Sequence, residues 1–180
     1  MTDCEHRVAE LERRLTRLED ERAVTKLVTS YGPLVDSGQS AAVGQIWHED
    51  GVYDVDGFLM RGRHEVEAMV ESEPHQRLLR GGCVHLSGPP DVYVEGDDAV
   101  AVCHSLLILH RDGRFMIYRA GANHWQLRRE DGEWRVTARR TRALDGSVEA
   151  RELFRVNAPG RNGDQVAGDA PRRSSRPAEG

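Results

Sequence analysis

The sequence predicts an α+β domain in which helices come first and a long antiparallel sheet curves around them. Apolar residues as far as Val70 recur at helical spacing, the runs after Gly82 are strand-like, and Asp-Gly turns join the longest of those runs. Helices followed by strands pack as a helical layer on one face of a sheet.

Val8, Leu11, Leu15 and Leu18 fall at 3-4-3 spacing among Glu and Arg and predict an amphipathic helix. The stripe resumes as Val24, Leu27, Val28, Tyr31 and Val35, the apolar face of a second helix whose last turn Pro33 is expected to kink or shorten. Val43, Ile46 and Trp47 predict a short helix stopped by a turn at His48-Glu49-Asp50-Gly51. Val52 to Val55 reads as a strand turning at Asp56-Gly57, and Val66, Met69 and Val70 mark a brief helix that ends before Pro74. Strands are expected at Cys83 to Leu86, Val92 to Val94, Ala99 to Leu109, Phe115 to Leu127 and Trp134 to Thr141. The turns Arg-Asp-Gly-Arg and Glu-Asp-Gly-Glu between the last three are hairpin sequences.

A length of 180 residues suits one domain. The divisions expected are an N-terminal helix over 1–20, the α+β domain over 21–150 and a C-terminal segment over 151–180, disordered from about residue 157, where Pro, Gly and Arg leave little to bury. A net charge of -5 gives no electrostatic footprint for nucleic acid. No apolar run is long enough to span a membrane and the charged N-terminus is not a signal peptide, so a soluble, cytoplasmic protein is expected. Cys4, Cys83 and Cys103 form no C-x-x-C pair and are read as reduced thiols.

Chemistry-bearing residues stand out where polar groups interrupt apolar runs. These are Asp36 after Leu34-Val35, His85 within Cys-Val-His-Leu, His104 and His110 in a long strand, and Asn123, expected on one strand face with Phe115, Ile117, Trp125 and Leu127. An unpaired polar group costs about 1 to 3 kcal/mol to bury, so these residues are expected to meet one another or to line a cavity. Imidazole, carboxylate, phenol and carboxamide together suit acid-base work on a carbonyl compound. Each histidine also has a plain structural reading, Asp36 could cap the helix that follows, and Tyr31 could be core. The histidines lack metal-ligand spacing, and no metal is expected.

Four stretches carry a family resemblance: Tyr31-Gly-Pro-Leu-Val-Asp36-Ser-Gly, His48-Glu-Asp-Gly-Val-Tyr53, Gly57 to Gly62, and Ala122 through Val136. Together they resemble the SnoaL-like branch of the nuclear transport factor 2-like superfamily, over about residues 8 to 150. The resemblance implies a conical α+β barrel whose helices and bent, mainly antiparallel sheet enclose one pocket. That superfamily holds ketosteroid isomerase, polyketide cyclases, scytalone dehydratase, the bile-acid 7α-dehydratase and non-catalytic binders. Asp36, His85, His110 and Asn123 match the pattern of scytalone dehydratase. Tyr31, Asp36 and His85 match that of the bile-acid enzyme, whose second aspartate falls near Leu106 and whose late arginine falls near Arg142, with Arg140 also available. Tyr53 lies close to a second tyrosine of scytalone dehydratase.

The resemblance implies a lyase that removes water, without a cofactor, from a hydrophobic β-hydroxy carbonyl compound expected to be cyclic. His85 is expected as the base, Asp36 as its partner, Tyr31 as donor to the carbonyl oxygen and His110 as support for the leaving group. Asn123, Tyr53, His104, Arg142 and Trp125 are the expected substrate contacts. An isomerase or cyclase would use the same base, and a non-catalytic binding module needs none of it. Related dehydratases are trimers, and the leucine stripe of the first helix, which two heptads cannot satisfy alone, also points to a homo-oligomer, trimer before dimer.

Overall fold

The computed structural model describes residues Asp3 to Arg155; the C-terminal segment expected to be disordered lies outside them. Helix α1 (Asp3–Asp36) joins both predicted apolar stripes in one continuous rod, and Pro33 is accommodated inside its final turn. Only its second half enters the core. Val24 and Val28 are fully enclosed, each contributing about 1.5–3 kcal/mol of apolar burial, whereas Val8, Leu11, Leu15 and Leu18 remain exposed. Asp20, at the entry to the core, pairs with Arg129 at 2.7 Å.

Helix α2 (Ser40–Gln45) ends two residues before the end of its apolar pattern, because Trp47 opens strand β1 (Trp47–Val55). The segment His48 to Gly51, expected as a turn, is instead an irregular stretch of that strand. Gly51 is needed there, since a side chain would meet the Val136 carbonyl oxygen at 2.8 Å. Strand β2 (Phe58–Arg61) returns antiparallel to β1. Helix α3 (Arg63–Glu71) matches the predicted brief helix. Pro74 then starts a helix where the sequence reading used it only as a stop. Ser72 caps α4 (Glu73–Gly81), and a proline is tolerated in a first turn whose N–H groups lack helical partners.

Strands β3 (Cys83–Ser87), β4 (Asp91–Glu95), β5 (Asp98–Arg111), β6 (Arg114–Glu130) and β7 (Glu133–Ala143) follow the expected runs, and a short α5 (Val148–Glu152) closes the described chain. The Asp-Gly pairs at 56–57, 112–113 and 131–132 have positive φ at both residues, the conformation that tight hairpins require. The sheet order is β2-β1-β7-β6-β5-β3, with β4 also pairing β5. All pairs are antiparallel except β1 with β7. The barrel implied by the resemblance is not closed: β2 and β3 form the two ends of a curved sheet, and α1 lies across its concave side.

Candidate functional site

The site begins where α1 crosses β3. Gly32 lies so close to β3 that an added Cβ would sit 2.0 Å from the His85 carbonyl oxygen, so the missing side chain sets the depth of the crossing. One turn on, Asp36 reaches His85 twice. Its Oδ1 lies 2.6 Å from His85 Nδ1, and its Oδ2 accepts the His85 backbone N–H at 2.8 Å. A carboxylate at Nδ1 favours the tautomer protonated there, leaving Nε2 as the basic nitrogen. The Cys83 thiol also faces Asp36, at 3.8 Å, and burial followed by the nearby carboxylate pushes its pKa up to about 11.

His85 borders a cavity of about 350 Å³ whose walls are mostly apolar: Val35, Val55, Met60, Met69, Leu78 and Leu107 are typical. His75, brought in by α4, shares this cavity. Its ring is 5.5 Å from that of His85, and its Nε2 lies 3.3 Å from the Val35 carbonyl oxygen. A carbonyl only accepts, so Nε2 carries the proton and Nδ1 is left as an acceptor. Burial holds His75 below the ordinary imidazole range, with the Val35 carbonyl opposing and His85 adding to the shift.

Sheet register supplies the far wall. Tyr53 on β1, Arg139 on β7, Trp125 on β6 and Ala101 on β5 form one row; Val55, Thr141, Asn123 and Cys103 form the next. Tyr31 descends from α1 onto the first row, with its ring centroid 6.2 Å from that of Tyr53 and 5.7 Å from that of Trp125. Burial, and then the Tyr53 phenol, hold Tyr31 far above the ordinary phenol range while Arg139 opposes them, so Tyr31 remains a hydrogen-bond donor.

Of the residues predicted from sequence, Tyr31, Tyr53 and His85 line the cavity, and Asp36 stands behind His85. The others fall elsewhere. Asn123 is fully enclosed behind the wall, where its Oδ1 accepts from Arg139 and Thr141 and its Nδ2 donates to the Ser105 hydroxyl. Trp125 is buried beneath the Arg139 guanidinium. His104 and His110 are not cavity-lining residues. Strand alternation turns Cys103 and Leu109 inward, so both histidines face outward, against Phe154 and Phe115 respectively. Arg142 is taken by Asp54 and Glu149, each at 2.6 Å, and does not line the cavity either. Leu106, near which the resemblance placed the bile-acid enzyme's second aspartate, is cavity wall.

Sequence reasoning missed His75 and Arg139. The capping pattern Ser72-Glu-Pro-His75 could have revealed the helix that carries His75. No local signal marks Arg139. Trp134 and Val136 are inward, and strict alternation would continue to Ala138, Arg140 and Arg142; a register shift beside Thr137 turns Arg139 and Thr141 inward instead.

The SnoaL-like domain family matches residues 16–140. Among solved structures, an NTF2-like protein with a cystatin-like fold from Novosphingobium aromaticivorans is 41% identical, with a TM-score of 0.80 over 82% of this chain and 97% of that one. Aln2 from a Streptomyces species shares the fold at 16% identity and a TM-score of 0.64, over 74% of this chain and 96% of its own. A protein of unknown function from Mycobacterium tuberculosis does so at 24% identity and a TM-score of 0.61, over 76% of this chain and 75% of its own. No curated protein matches the chain. No helix among the described residues is long and apolar enough to cross a membrane.

Proposed function

The chain belongs to the SnoaL-like family of the NTF2-like superfamily, which holds dehydratases, isomerases and cyclases, and from that premise we propose that it is a cofactor-independent dehydratase of a hydrophobic β-hydroxy carbonyl compound. The observation that carries this reading is the Asp36–His85 pair opening on an apolar cavity. His85 Nε2 removes the α-proton as the C–H electron pair moves into an enolate, and Asp36 stabilises the imidazolium. Tyr31 donates to the carbonyl oxygen where negative charge develops. The enolate then expels the β-hydroxyl, the C–O bond breaks, and the proton on His85 passes to it, releasing water. His75 is the second imidazole within the same cavity, and its Nδ1, left as an acceptor, holds the β-hydroxyl in place before it departs, in place of the leaving-group support that the sequence reading gave to His110.

The test is mass spectrometry of products from a panel of cyclic β-hydroxy ketones incubated with the purified chain. A product lighter by one water supports dehydration. A product of unchanged mass but moved double bond assigns the pocket to an isomerase, and no conversion across the panel counts against this substrate class.

A further inference from the structure

Arg139 is buried, with 5% of its surface exposed, yet no carboxylate pairs with it among the described residues. The other arginines of β7 behave differently: Arg135 faces Glu133, Arg140 faces Asp54, and Arg142 faces Asp54 and Glu149. Arg139 has neutral partners instead. Its Nε and Nη2 both donate to Asn123 Oδ1, at 3.2 and 2.8 Å, and its buried Nη1 has no acceptor among the described residues. The guanidinium carbon lies 4.3, 4.5 and 4.0 Å from the ring centroids of Tyr31, Tyr53 and Trp125.

Ring quadrupoles stabilise a cation, but they carry no net charge, and the desolvation of an enclosed guanidinium exceeds what they return. The cavity walls do not supply the difference. No Asp or Glu among the described residues lines the cavity, and its other arginine, Arg119, is already matched by Asp56 at 2.7 Å. The guanidinium at the pocket wall therefore has no carboxylate in contact among the described residues, the Asp36 carboxylate being engaged by the ring and backbone of His85, and in a setting of low effective dielectric an anion beside it is bound strongly.

We propose that Arg139 anchors an anionic subsite and that the cavity takes a hydrophobic compound bearing a carboxylate, which supplies the missing counter-charge. This rests on the cavity being the substrate site of the proposed dehydratase and not on the reaction it performs. The carboxylate settles beside Arg139 at the sheet wall, while the apolar body lies along Val55, Met60, Met69 and Leu107 towards His85. Arg139 also stands beside the Tyr31 phenol, so the same charge favours an oxyanion held by that hydroxyl.

Two unreactive probes of one shape test this with the full chain: 2-naphthoate and 2-naphthamide, measured by calorimetric titration. The wild-type chain is expected to bind the naphthoate at least about tenfold more tightly than the amide, as a charge-assisted contact requires. Arg139→Lys keeps the preference, and Arg139→Gln removes it while amide binding persists. Equal affinities in the wild type, no naphthoate binding, or a preference that survives Arg139→Gln would overturn the proposal. The wild-type ratio alone decides the matter if the Gln variant does not fold. Raising the salt concentration separates the cavity from the surface, because a buried pair is screened little; a preference abolished by salt also overturns it. Since neither probe is turned over, carboxylate preference without water loss from any substrate would sink the reaction and leave the subsite standing.

Discussion

Asp36 holds His85 through both of its carboxylate oxygens, one on the ring and one on the backbone. The two contacts fix the imidazole relative to β3 and not merely relative to α1. A carboxylate used in this way is a positioning group for the base, and the pair is expected to act as a unit. His85→Ala and Asp36→Ala should each lower turnover by at least about 10²-fold with far-ultraviolet circular dichroism unchanged, and the double variant should fall little further. Fully additive losses in the double variant would contradict a coupled pair, and near-native turnover in His85→Ala would remove the base.

Asn123 binds Arg139 and Thr141 through one oxygen, so replacing that group tests what the wall needs. Asn123→Leu leaves the guanidinium without its acceptor and should cost about 2–3 kcal/mol in chemical denaturation. Asn123→Asp instead provides a carboxylate. It should preserve or raise stability while weakening naphthoate binding, because the counter-charge is then built in. Tighter naphthoate binding in the Asp variant would be incompatible with an unmatched charge at Arg139.

His75 gives the fold a predictable response to acid. Burial holds its folded pKa below the ordinary value of 6.5 despite the opposing Val35 carbonyl and Asp36, with His85 pushing the same way. His124 is lowered too, by burial and then by Arg140. The unfolded chain therefore binds protons at a pH where the folded chain does not. Stability falls as pH drops through about 6.5 towards the folded values and is unaffected by these groups above it. The melting temperature should decline between about pH 7 and pH 5, and His75→Gln should flatten that decline. An identical slope in wild type and variant would exclude His75 as a contributor.

Asp36, Cys83 and His85 present three ligand atoms within 4.8 Å of one another, the cluster in the described residues most open to a metal. The carboxylate is already engaged by the His85 ring and backbone, and the thiol stays protonated near neutral pH, with a pKa of about 11. Strong chelation is accordingly expected to leave turnover and melting temperature unchanged. Activity lost to a chelator and restored by zinc would replace the proton shuttle with metal chemistry.

Val8, Leu11, Leu15 and Leu18 form an exposed stripe on the free half of α1. Two heptads do not form a stable coiled coil alone, so the stripe is expected to be covered in a homo-oligomer, a trimer by preference. Light scattering should report a multiple of the 20.2 kDa chain at micromolar concentration, reduced by Leu11→Glu with Leu15→Glu. A wild-type monomer would refute the association.

Local pattern alone determined the class of this protein. Helical spacing in Val24 to Val35 needs only the residues of one helix, and Asp-Gly pairs with positive φ at both positions need only their own backbone. Asp36 and His85 stood out as polar groups set in apolar runs, but so did His104 and His110, which face outward, and the role expected of Tyr31 came from the family resemblance. Tertiary structure decided which other groups reach the cavity. A single register shift beside Thr137 turns Arg139 inward and leaves Arg140 and Arg142 to Asp54, and no pattern within β7 announces it because side-chain facing depends on pairing with β6. His75 arrives on a helix that Pro74 begins, and the outward turn of His104 and His110 is set by which face of β5 packs against α1. A side chain's chemistry is written in its type, but its direction is fixed by the partner strand, and that is a long-range property.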